Sequence, residues 1–512
     1  MTSSTLPPLD LNNVQGDILA GLPKKTQTYF FFLIDKSRIQ EFRTQLANLI
    51  PLITTTAQVF GHQEAISKNK TDAAKHGVPP SLLKISGVNI VFSQKGLTKM
   101  GINDNIGDAA FSKGMLEDAP TLGDPGTATS DSPDWVPAFK QGVDGMILVS
   151  GESHSTVAEK LAEIERIFFV GAPFATIHEA LRIVGDVRPG KEKGHEQFVS
   201  LLSPQESQPL TSDHSFGFLD GISQPAIKGV NLTTNPGQES VNPGVTILGR
   251  EGDLNINANP NVPIHRPSWA LDGSFLAFRY LFQLVPEFDT FLKRNPVPGL
   301  APDHGSELLG ARMVGRWMSG APIDLAPTQD NPALGADPSR NNNFRYDFPD
   351  DAQTQDRCPF AAHTRKTNPR ADFEALTPES KPVPGPLSTS NRRIIRRGIQ
   401  FGPEVSPEEA RSGKTIHGRG LLFAAYQSNI ENGFQFLQQS WANNPAFIFG
   451  KPVSPGFDPI IGQNAAGARS MVGTNPTSQS TSLPLPTWVV PKGGEYFFSP
   501  SIPALKTTFA LA

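Results

Sequence analysis

The sequence predicts an α+β fold that contains two ferredoxin-like domains, one a duplicate of the other. A short apolar strand followed by an amphipathic helix recurs four times, twice in each half of the chain. Paired strand–helix–strand units form a sheet that helices cover on one face. The length of 512 residues also exceeds what one ordinary core supports. We therefore expect two domains, residues 1–208 and residues 209–512, divided in the polar loop of residues 203–212.

The two units of the first half begin with apolar strands at residues 29–34 and 146–149. After each strand, apolar residues recur every three or four positions, which places them on one face of a helix. These residues are Ile39, Phe42, Leu46 and Leu49 after the first strand, and Val157, Leu161, Ile164 and Phe168 after the second.

The two units of the second half begin with strands at residues 275–282 and 421–426. Pro286 follows the first of these strands and is compatible with the first turn of a helix. The stretches 103–140 and 295–357 are rich in Pro, Gly, Asp and Asn, so we expect irregular loops there, where functional sites usually lie. The apolar helix positions are Phe288, Phe291 and Leu292 in the third unit, and Ile430, Phe434, Leu437 and Trp441 in the fourth.

Composition excludes several classes of function. A net charge of −4 and a pI near 6.2, without a polybasic run, argue against nucleic acid or an anionic membrane as a partner. Cys358 is the only cysteine, which excludes internal disulfides and cysteine-based zinc or iron–sulfur sites. No secretory signal and no long apolar span is visible. We expect an intracellular or unconventionally exported protein, or an extracellular one if a signal precedes this sequence.

Three segments of the second half carry chemically informative residues. FGFLDGISQPAI (residues 216–227) places Asp220 beside glycines in an apolar context, and RCPFAAHTRKTNPRAD (residues 357–372) contains His363 as its one histidine. RIIRRGIQFGPE (residues 393–404) has an arginine pair before a glycine. In this order the segments resemble the dye-decolorizing peroxidases. LNNVQGDIL near the start, with DPIIGQ and GGEYFF near the end, extends the resemblance to the long fungal members.

The resemblance implies two ferredoxin-like domains, with one haem b per chain bound mainly in the C-terminal domain. It implies a peroxidase that uses hydrogen peroxide to oxidise dyes, phenols and other aromatic compounds. The alternative is a haem-binding or iron-release protein without significant peroxidase turnover, and the presence of both Asp220 and Arg396 argues against it. We expect a monomer or a weak homo-oligomer.

On one side of the haem, the resemblance implies that His363 is the axial ligand of iron, since a neutral imidazole is the common axial ligand of peroxidase haem. Arg365 would pair with a haem propionate. Asp458, in GFDPIIG, would accept a hydrogen bond from the other ring nitrogen of the histidine and fix its tautomer. Plainer interpretations are a satisfied or surface histidine, a surface arginine, and a carboxylate that caps the turn at Pro459.

On the other side, the resemblance implies that Asp220 takes a proton from peroxide and delivers it to the leaving oxygen. Arg396 would stabilise the peroxide anion and the charge that develops during cleavage. Alternate side chains of an extended run point to opposite faces, so only one of Arg396 and Arg397 can point inward. Asp220 can instead be a turn residue that accepts backbone N–H bonds, and both arginines can be surface cations.

Leu421 and Phe423 alternate on the fourth strand and would line the pocket above the haem, although any core strand shows this alternation. A narrow pocket admits peroxide but not a bulky dye, so large substrates would donate electrons at the surface. Trp441 is the candidate for that transfer, with a core role as its other interpretation. Phe401 stands where some relatives have tyrosine, and phenylalanine cannot form a neutral phenoxyl radical.

Acidic residues crowd around the segment of His363. Carboxylate oxygens are good ligands for a hard cation such as Mn²⁺, whereas a solvated acidic loop is the other interpretation. A non-haem metal protein built on this loop would lack any paired histidine spacing. The acidic residues are Asp347, Asp350, Asp351, Asp356, Asp372 and Glu374.

Overall fold

The computed structural model describes residues 7–130, 132–187, 218–219, 222–255, 259–348, 353–374 and 389–511. The expected domain boundary at residues 203–212 lies outside these ranges, so the division at residue 208 stays a prediction.

The first half forms four antiparallel strands in the spatial order β2-β3-β1-β4, with helices between them in the chain. In chain order the elements are β1 (Thr26–Ile34), α1 (Ile39–Leu49), α2 (Thr56–Lys75), β2 (Ser86–Ser93), β3 (Gly145–Gly151), α3 (His154–Ile167) and β4 (Ile177–Asp186).

The second half repeats this arrangement, because its strands lie in the order β6/β7-β8-β5-β9, where β6 and β7 both pair with β8. In each half, the second strand of the chain is followed in space by the third, the first and the fourth. The repeated order confirms the duplicated ferredoxin-like fold. The elements are β5 (Ser274–Gln283), α4 (Val285–Arg294), α5 (Pro302–Val314), α6 (His363–Thr367), β6 (Ile395–Arg396), β7 (Ile399–Phe401), β8 (Gly420–Gln427), α7 (Phe434–Phe436), a π-helix (Leu437–Ala442) and β9 (Val489–Ser499).

One pairing joins the two halves into a single sheet. Phe498 on β9 lies opposite Phe92 on β2, so the fourth strand of the second half is hydrogen-bonded to the first half. At the outer edges of the sheet, Gly185 on β4 packs against β7. A Cβ atom at Gly185 would lie 2.4 Å from Cγ2 of Ile399 and 2.8 Å from the carbonyl oxygen of Gln400. A glycine here therefore lets the two edges approach and the sheet curl into a barrel.

The four predicted strands lie within β1, β3, β5 and β8, and the predicted helices follow them. The fourth helix is shorter than its apolar pattern and ends as a π-helix. The expectation of irregular loops was wrong in part, because helices lie within both stretches. Periodicity also missed α2, whose buried face is narrow and consists of Thr56, Val59 and Ala73. A capping box between Thr55 and Gln58 fixes its start instead.

Among the described residues, no helix combines the length and the apolar character that crossing a membrane requires. Shorter elements complete the described chain. The short helices are Gly16–Leu19, Gln94–Lys99, Ala109–Lys113, Met115–Leu122, Pro137–Gln141, Pro332–Ala336, Ala371–Glu374, Pro407–Ser412 and Ile502–Ala504, with a π-helix at Leu505–Phe509 and 3₁₀ turns at Lys36–Arg38, Ile50–Leu52, Pro243–Val245, Ser268–Ala270 and Ser390–Arg392. The short strands are Ala226–Ile227, Ser240–Val241, Leu254–Asn255, Asn259–Pro263, Arg469–Met471 and Leu483–Leu485.

Candidate active site

A large cavity lies in the second half of the chain, beside the sheet. It encloses about 1410 Å³ of empty space, counting its open mouth. Leu281 on β5 and Leu421 and Phe423 on β8 form part of its apolar wall. His363, the first residue of α6, and Phe434 on α7 also line it. The cavity is therefore built from the sheet on one hand and from the loops and short helices of the second half on the other.

His363 and Asp458 form a buried hydrogen-bonded pair at this cavity. Nδ1 of His363 donates to Oδ2 of Asp458 over 2.8 Å, and the aspartate is fully buried. The other carboxylate oxygen accepts the backbone N–H groups of Ile460 and Ile461 at 2.8 and 2.9 Å. Asp458 thus caps a turn and orients the histidine at the same time, so the two interpretations of this residue are compatible.

Electrostatics favour the ionised form of Asp458. Burial raises the pKa of its carboxyl, but the charge and hydrogen bond of His363 and the two backbone N–H bonds outweigh this, so the pKa lies below its ordinary value. An ionised acceptor at Nδ1 fixes the tautomer in which Nε2 is the nitrogen that can coordinate a metal. This arrangement matches what an axial haem ligand requires.

Arg365 is not among the described residues that line the cavity, and its expected pairing with a haem propionate stays a prediction. Its Nε and Nη2 donate to the two carboxylate oxygens of Asp372 at 2.6 and 3.0 Å, and Nη1 donates to the carbonyl of Cys358 at 2.5 Å. All three residues are buried. The guanidinium therefore forms a buried bidentate ion pair between α6 and Asp372.

Arg396 and Arg397 point to different places, as the alternation of an extended run requires. Arg396 lies on β6 and lines the cavity. Arg397 points away, and its Nε and Nη2 donate to the carbonyls of Asp17 and Leu19 at 2.8 Å each. The side chain of Arg397 thus stabilises the end of the helix Gly16–Leu19.

Asp220 lies outside the described residues. Leu219 and Ile222, on either side of it in the sequence, both line the cavity. Leu421 and Phe423 line it too, with the alternation that β8 imposes. Their expected role above a haem stays a prediction.

Six arginines line the cavity, a feature that the sequence analysis did not predict. No aspartate or glutamate lines it among the residues that the structure describes. One signal was available, because Arg279 is a lone charge inside the apolar strand β5. It donates to Oδ1 of the buried Asp124 at 2.7 Å. The arginines that line the cavity are Arg279, Arg316, Arg370, Arg392, Arg393 and Arg396.

The residues that line the cavity fit haem. Apolar walls accommodate a flat macrocycle, and arginines are the residues that pair best with carboxylates such as propionates. Burial disfavours the charged form of an arginine, and it lowers the pKa of the Arg370 guanidinium to about 10. Its Nη2 donates to Oδ1 of Asn342 at 2.5 Å, which holds the side chain at the wall.

Trp441 is buried, with 2% of its surface exposed, so a dye does not contact the indole directly, and its role in electron transfer stays a prediction. The side chain of Phe447 stacks on the indole at 5.1 Å with an angle of 5° between the rings. Phe449, which is 45% exposed, contacts Phe447 at 5.7 Å. Leu437 and Gln438, one turn before Trp441, line the cavity. The indole therefore lies between the cavity and an exposed aromatic residue.

The described part of the acidic segment forms no metal site. Across the described ranges, no group of three or more His, Cys, Asp and Glu side chains is placed to hold a metal ion. Asp372 is bound by Arg365 and by Lys451 at 2.5 Å. Asp350 and Asp351 lie outside the described residues.

Comparison with known proteins identifies the family of this site. A family model described as the DyP dimeric alpha+beta barrel domain matches residues 13–189. The dye-decolorizing peroxidase of Exidia glandulosa is 43% identical over 505 residues, covering 97% of this chain and 86% of that protein.

Solved structures agree with this relationship. An ancestral D-type dye decolorizing peroxidase aligns with a TM-score of 0.86 and 57% identity, covering 99% of this chain and 100% of that one. A dye-decolorizing peroxidase in complex with 2,6-dimethoxyphenol aligns with a TM-score of 0.80 and 41% identity, covering 98% and 100%. This chain belongs to the dye-decolorizing peroxidase family and is a haem-dependent peroxidase.

Proposed function

We propose that this protein is a haem b peroxidase that uses hydrogen peroxide to oxidise phenols and dyes. The observation that carries the proposal is the buried His363–Asp458 pair on the wall of a cavity that six arginines also line. When bound, haem supplies the iron and the conjugated macrocycle through which peroxide is reduced and an electron donor is oxidised. A solved relative in complex with 2,6-dimethoxyphenol supports a phenol as one class of donor.

His363 would hold the iron through Nε2, and Asp458 would keep the ring in the required tautomer. Asp458 is fully buried and accepts from Nδ1, so the imidazole cannot rotate without losing a charge-assisted bond. The cavity arginines other than Arg396 are further candidates, beside Arg365, to receive the propionates. Haem b rather than a covalently attached haem agrees with the single cysteine, Cys358, which is buried.

Asp220 and Arg396 would act on peroxide. Asp220 would accept a proton from one peroxide oxygen and return it to the leaving oxygen, as a general base and then a general acid. The guanidinium of Arg396 at the cavity wall would stabilise the negative charge on peroxide. An iron-release function would not need such a cation beside the site of peroxide binding.

The test is the absorption spectrum of the purified protein loaded with haem, before and after one equivalent of hydrogen peroxide. We expect a Soret band of a histidine-ligated haem that changes within seconds of peroxide addition and returns when 2,6-dimethoxyphenol is added. A Soret band that does not respond to peroxide would instead support haem storage or iron release.

We also propose that Trp441 carries electrons from bulky dyes to the haem. Replacing it by phenylalanine keeps the stacking on Phe447 but removes the readily oxidised indole. We expect turnover of an anthraquinone dye to fall severalfold in Trp441→Phe, while the rate with peroxide stays unchanged. Phe449→Ala tests the outer contact and should raise KM for the dye alone. Equal dye turnover in a Trp441→Phe variant of wild-type melting temperature would assign the indole to core packing.

A further inference from the structure

Tyr496 is a fully buried tyrosine on β9, in the middle of the sheet. It lies directly opposite Ala277 of β5. Paired residues of neighbouring antiparallel strands point to the same face of a sheet, and so do residues two positions apart on one strand. Arg279 and Leu281, the next two residues on that face of β5, line the cavity. The side chain of Tyr496 therefore lies on the face of the sheet that carries the cavity.

A single aromatic ring separates Tyr496 from the cavity. The centroid of its ring lies 6.2 Å from that of Phe434, with an angle of 67° between the planes. The ring of Phe434 in turn lies 5.8 Å from that of Phe423, and both phenylalanines line the cavity. These separations are within the range of favourable aromatic pairs. Tyr496 is not among the described residues that line the cavity, so its phenol lies one ring behind the wall.

The hydroxyl group of Tyr496 donates to Oδ2 of Asp118 over 2.6 Å. Asp118 is buried and belongs to the helix Met115–Leu122 of the first half. A buried tyrosine usually finds a hydrogen-bond acceptor, but here the acceptor is a carboxylate, which is a base. Three further groups donate to it, as an ionised carboxylate requires: Nε2 of Gln435 to Oδ2 at 2.8 Å, Oγ1 of Thr121 to Oδ1 at 2.5 Å, and Nε2 of Gln439 to Oδ1 at 3.3 Å.

This pair can lose an electron without creating a buried charge. Burial and the charge of Asp118 raise the pKa of the Tyr496 hydroxyl well above its ordinary value, so the phenol is neutral in the resting protein. An oxidised phenol must release its proton, and a base within hydrogen-bond reach can take it. When Asp118 takes the proton, the pair passes from one negative charge to none. Because buried charges are costly, this change favours oxidation at Tyr496.

We propose that Tyr496 is an internal electron donor that reduces the haem after peroxide has oxidised it, when no external donor is bound. The inference rests on the proposed function. Tyr496 gives up one electron, its O–H bond breaks, and the proton forms an O–H bond with Oδ2 of Asp118. A neutral phenoxyl radical and a neutral carboxylic acid remain. An external donor later returns the electron, and Asp118 returns the proton. The oxidising equivalent is thereby held behind the cavity wall, away from a second molecule of peroxide.

The experiment is electron paramagnetic resonance of the haem-loaded protein, frozen after one equivalent of hydrogen peroxide without a donor. The parent protein is Trp441→Phe, so that the indole does not contribute. Ring-deuterated tyrosine narrows the signal of a tyrosine radical alone, and the chain has five tyrosines. Tyr496→Phe keeps the ring that contacts Phe434 and removes the hydroxyl group.

We expect Tyr496→Phe to lose most of the deuterium-sensitive signal. Asp118→Asn should lose at least half of it, because the proton then has no carboxylate to enter. In excess peroxide without a donor, the Soret band of Tyr496→Phe should bleach severalfold faster than that of the parent protein. An undiminished radical signal in Tyr496→Phe would overturn the proposal, and this variant decides it if Asp118→Asn does not fold.

Tyr426→Phe is the matched control. Tyr426 is also a fully buried tyrosine of the sheet, but it lies three positions from Phe423 on β8 and so points to the opposite face. We expect it to keep the signal and the bleaching rate of the parent protein, and losses equal to those of Tyr496→Phe would contradict the assignment. A parent protein whose Soret band responds to peroxide without a tyrosine radical would overturn this inference alone. Failure of the parent protein to bind haem would overturn the proposed function as well.

Discussion

Replacing His363 by alanine is expected to yield a folded protein that binds little haem. The imidazole is the one metal-binding nitrogen among the described cavity residues that already has its second nitrogen oriented by a buried carboxylate. Without it, iron loses its protein ligand, and haem would be held by apolar contacts and arginines alone. Haem content per chain, from the ratio of Soret to protein absorbance, is the measurement.

Two controls separate ligation from folding in this experiment. Far-ultraviolet circular dichroism should be unchanged, because His363 begins a helix of five residues and contributes little to the sheet. His304→Ala removes another histidine, which bonds the carbonyl of Thr328 at 2.8 Å, and should retain full haem. Full occupancy with an unaltered spectrum in His363→Ala would transfer the assignment to His304 or His265.

Replacing Arg396 by leucine is expected to slow the reaction of the haem-loaded enzyme with peroxide by roughly 10²–10³-fold, the range seen when one preorganised electrostatic donor is lost. Haem binding should remain, because five other arginines line the cavity. Stopped-flow absorbance at the Soret band, with peroxide in excess, gives the second-order rate constant directly.

Arg397→Leu is a matched control for this variant. It removes the same functional group one residue along the chain, but its guanidinium holds the carbonyls of Asp17 and Leu19 instead of facing the cavity. We expect a lower melting temperature and a wild-type rate with peroxide.

Asp220→Asn should also slow the reaction and change the acid limb of its pH profile, since that carboxylate must be ionised to accept a proton. Wild-type rates in both Arg396→Leu and Asp220→Asn would exclude this pair from peroxide cleavage.

Periodicity predicted the fold because the predicted strands are apolar throughout, with Arg279 on β5 as the exception, and each following helix has one apolar stripe. The apolar pattern did not predict β4, because this strand lies at the sheet edge and exposes His178 and Glu179. The apolar pattern did not predict β9 either, because a proline and two glycines interrupt this strand. Its register shifts between Pro491 and Gly494. Edge position and register shifts depend on the partner strand, and a single sequence carries no direct record of the partner.

The candidate site was predictable where local motifs carry it and less so where distant segments meet. His363, Asp458 and Arg396 were found through short segments, and the structure brings His363 and Asp458 together from positions 95 residues apart. The short motifs did not distinguish the contacts of Arg365 from those of Lys366. Both follow His363 within one turn, and only the positions of Asp372 and of the Trp441 backbone carbonyl decide that Arg365 forms an ion pair and Lys366 a hydrogen bond to the backbone.

The position of β9 has a consequence for how the protein is made. β9 follows every other strand of the sheet in the chain, yet it lies between β5 and β2 at the centre. Until it leaves the ribosome, the inner edges of both halves lack their partner, and unpaired strand edges recruit other chains. We therefore expect association with other chains to be the main hazard for the nascent polypeptide until residues 489–499 emerge.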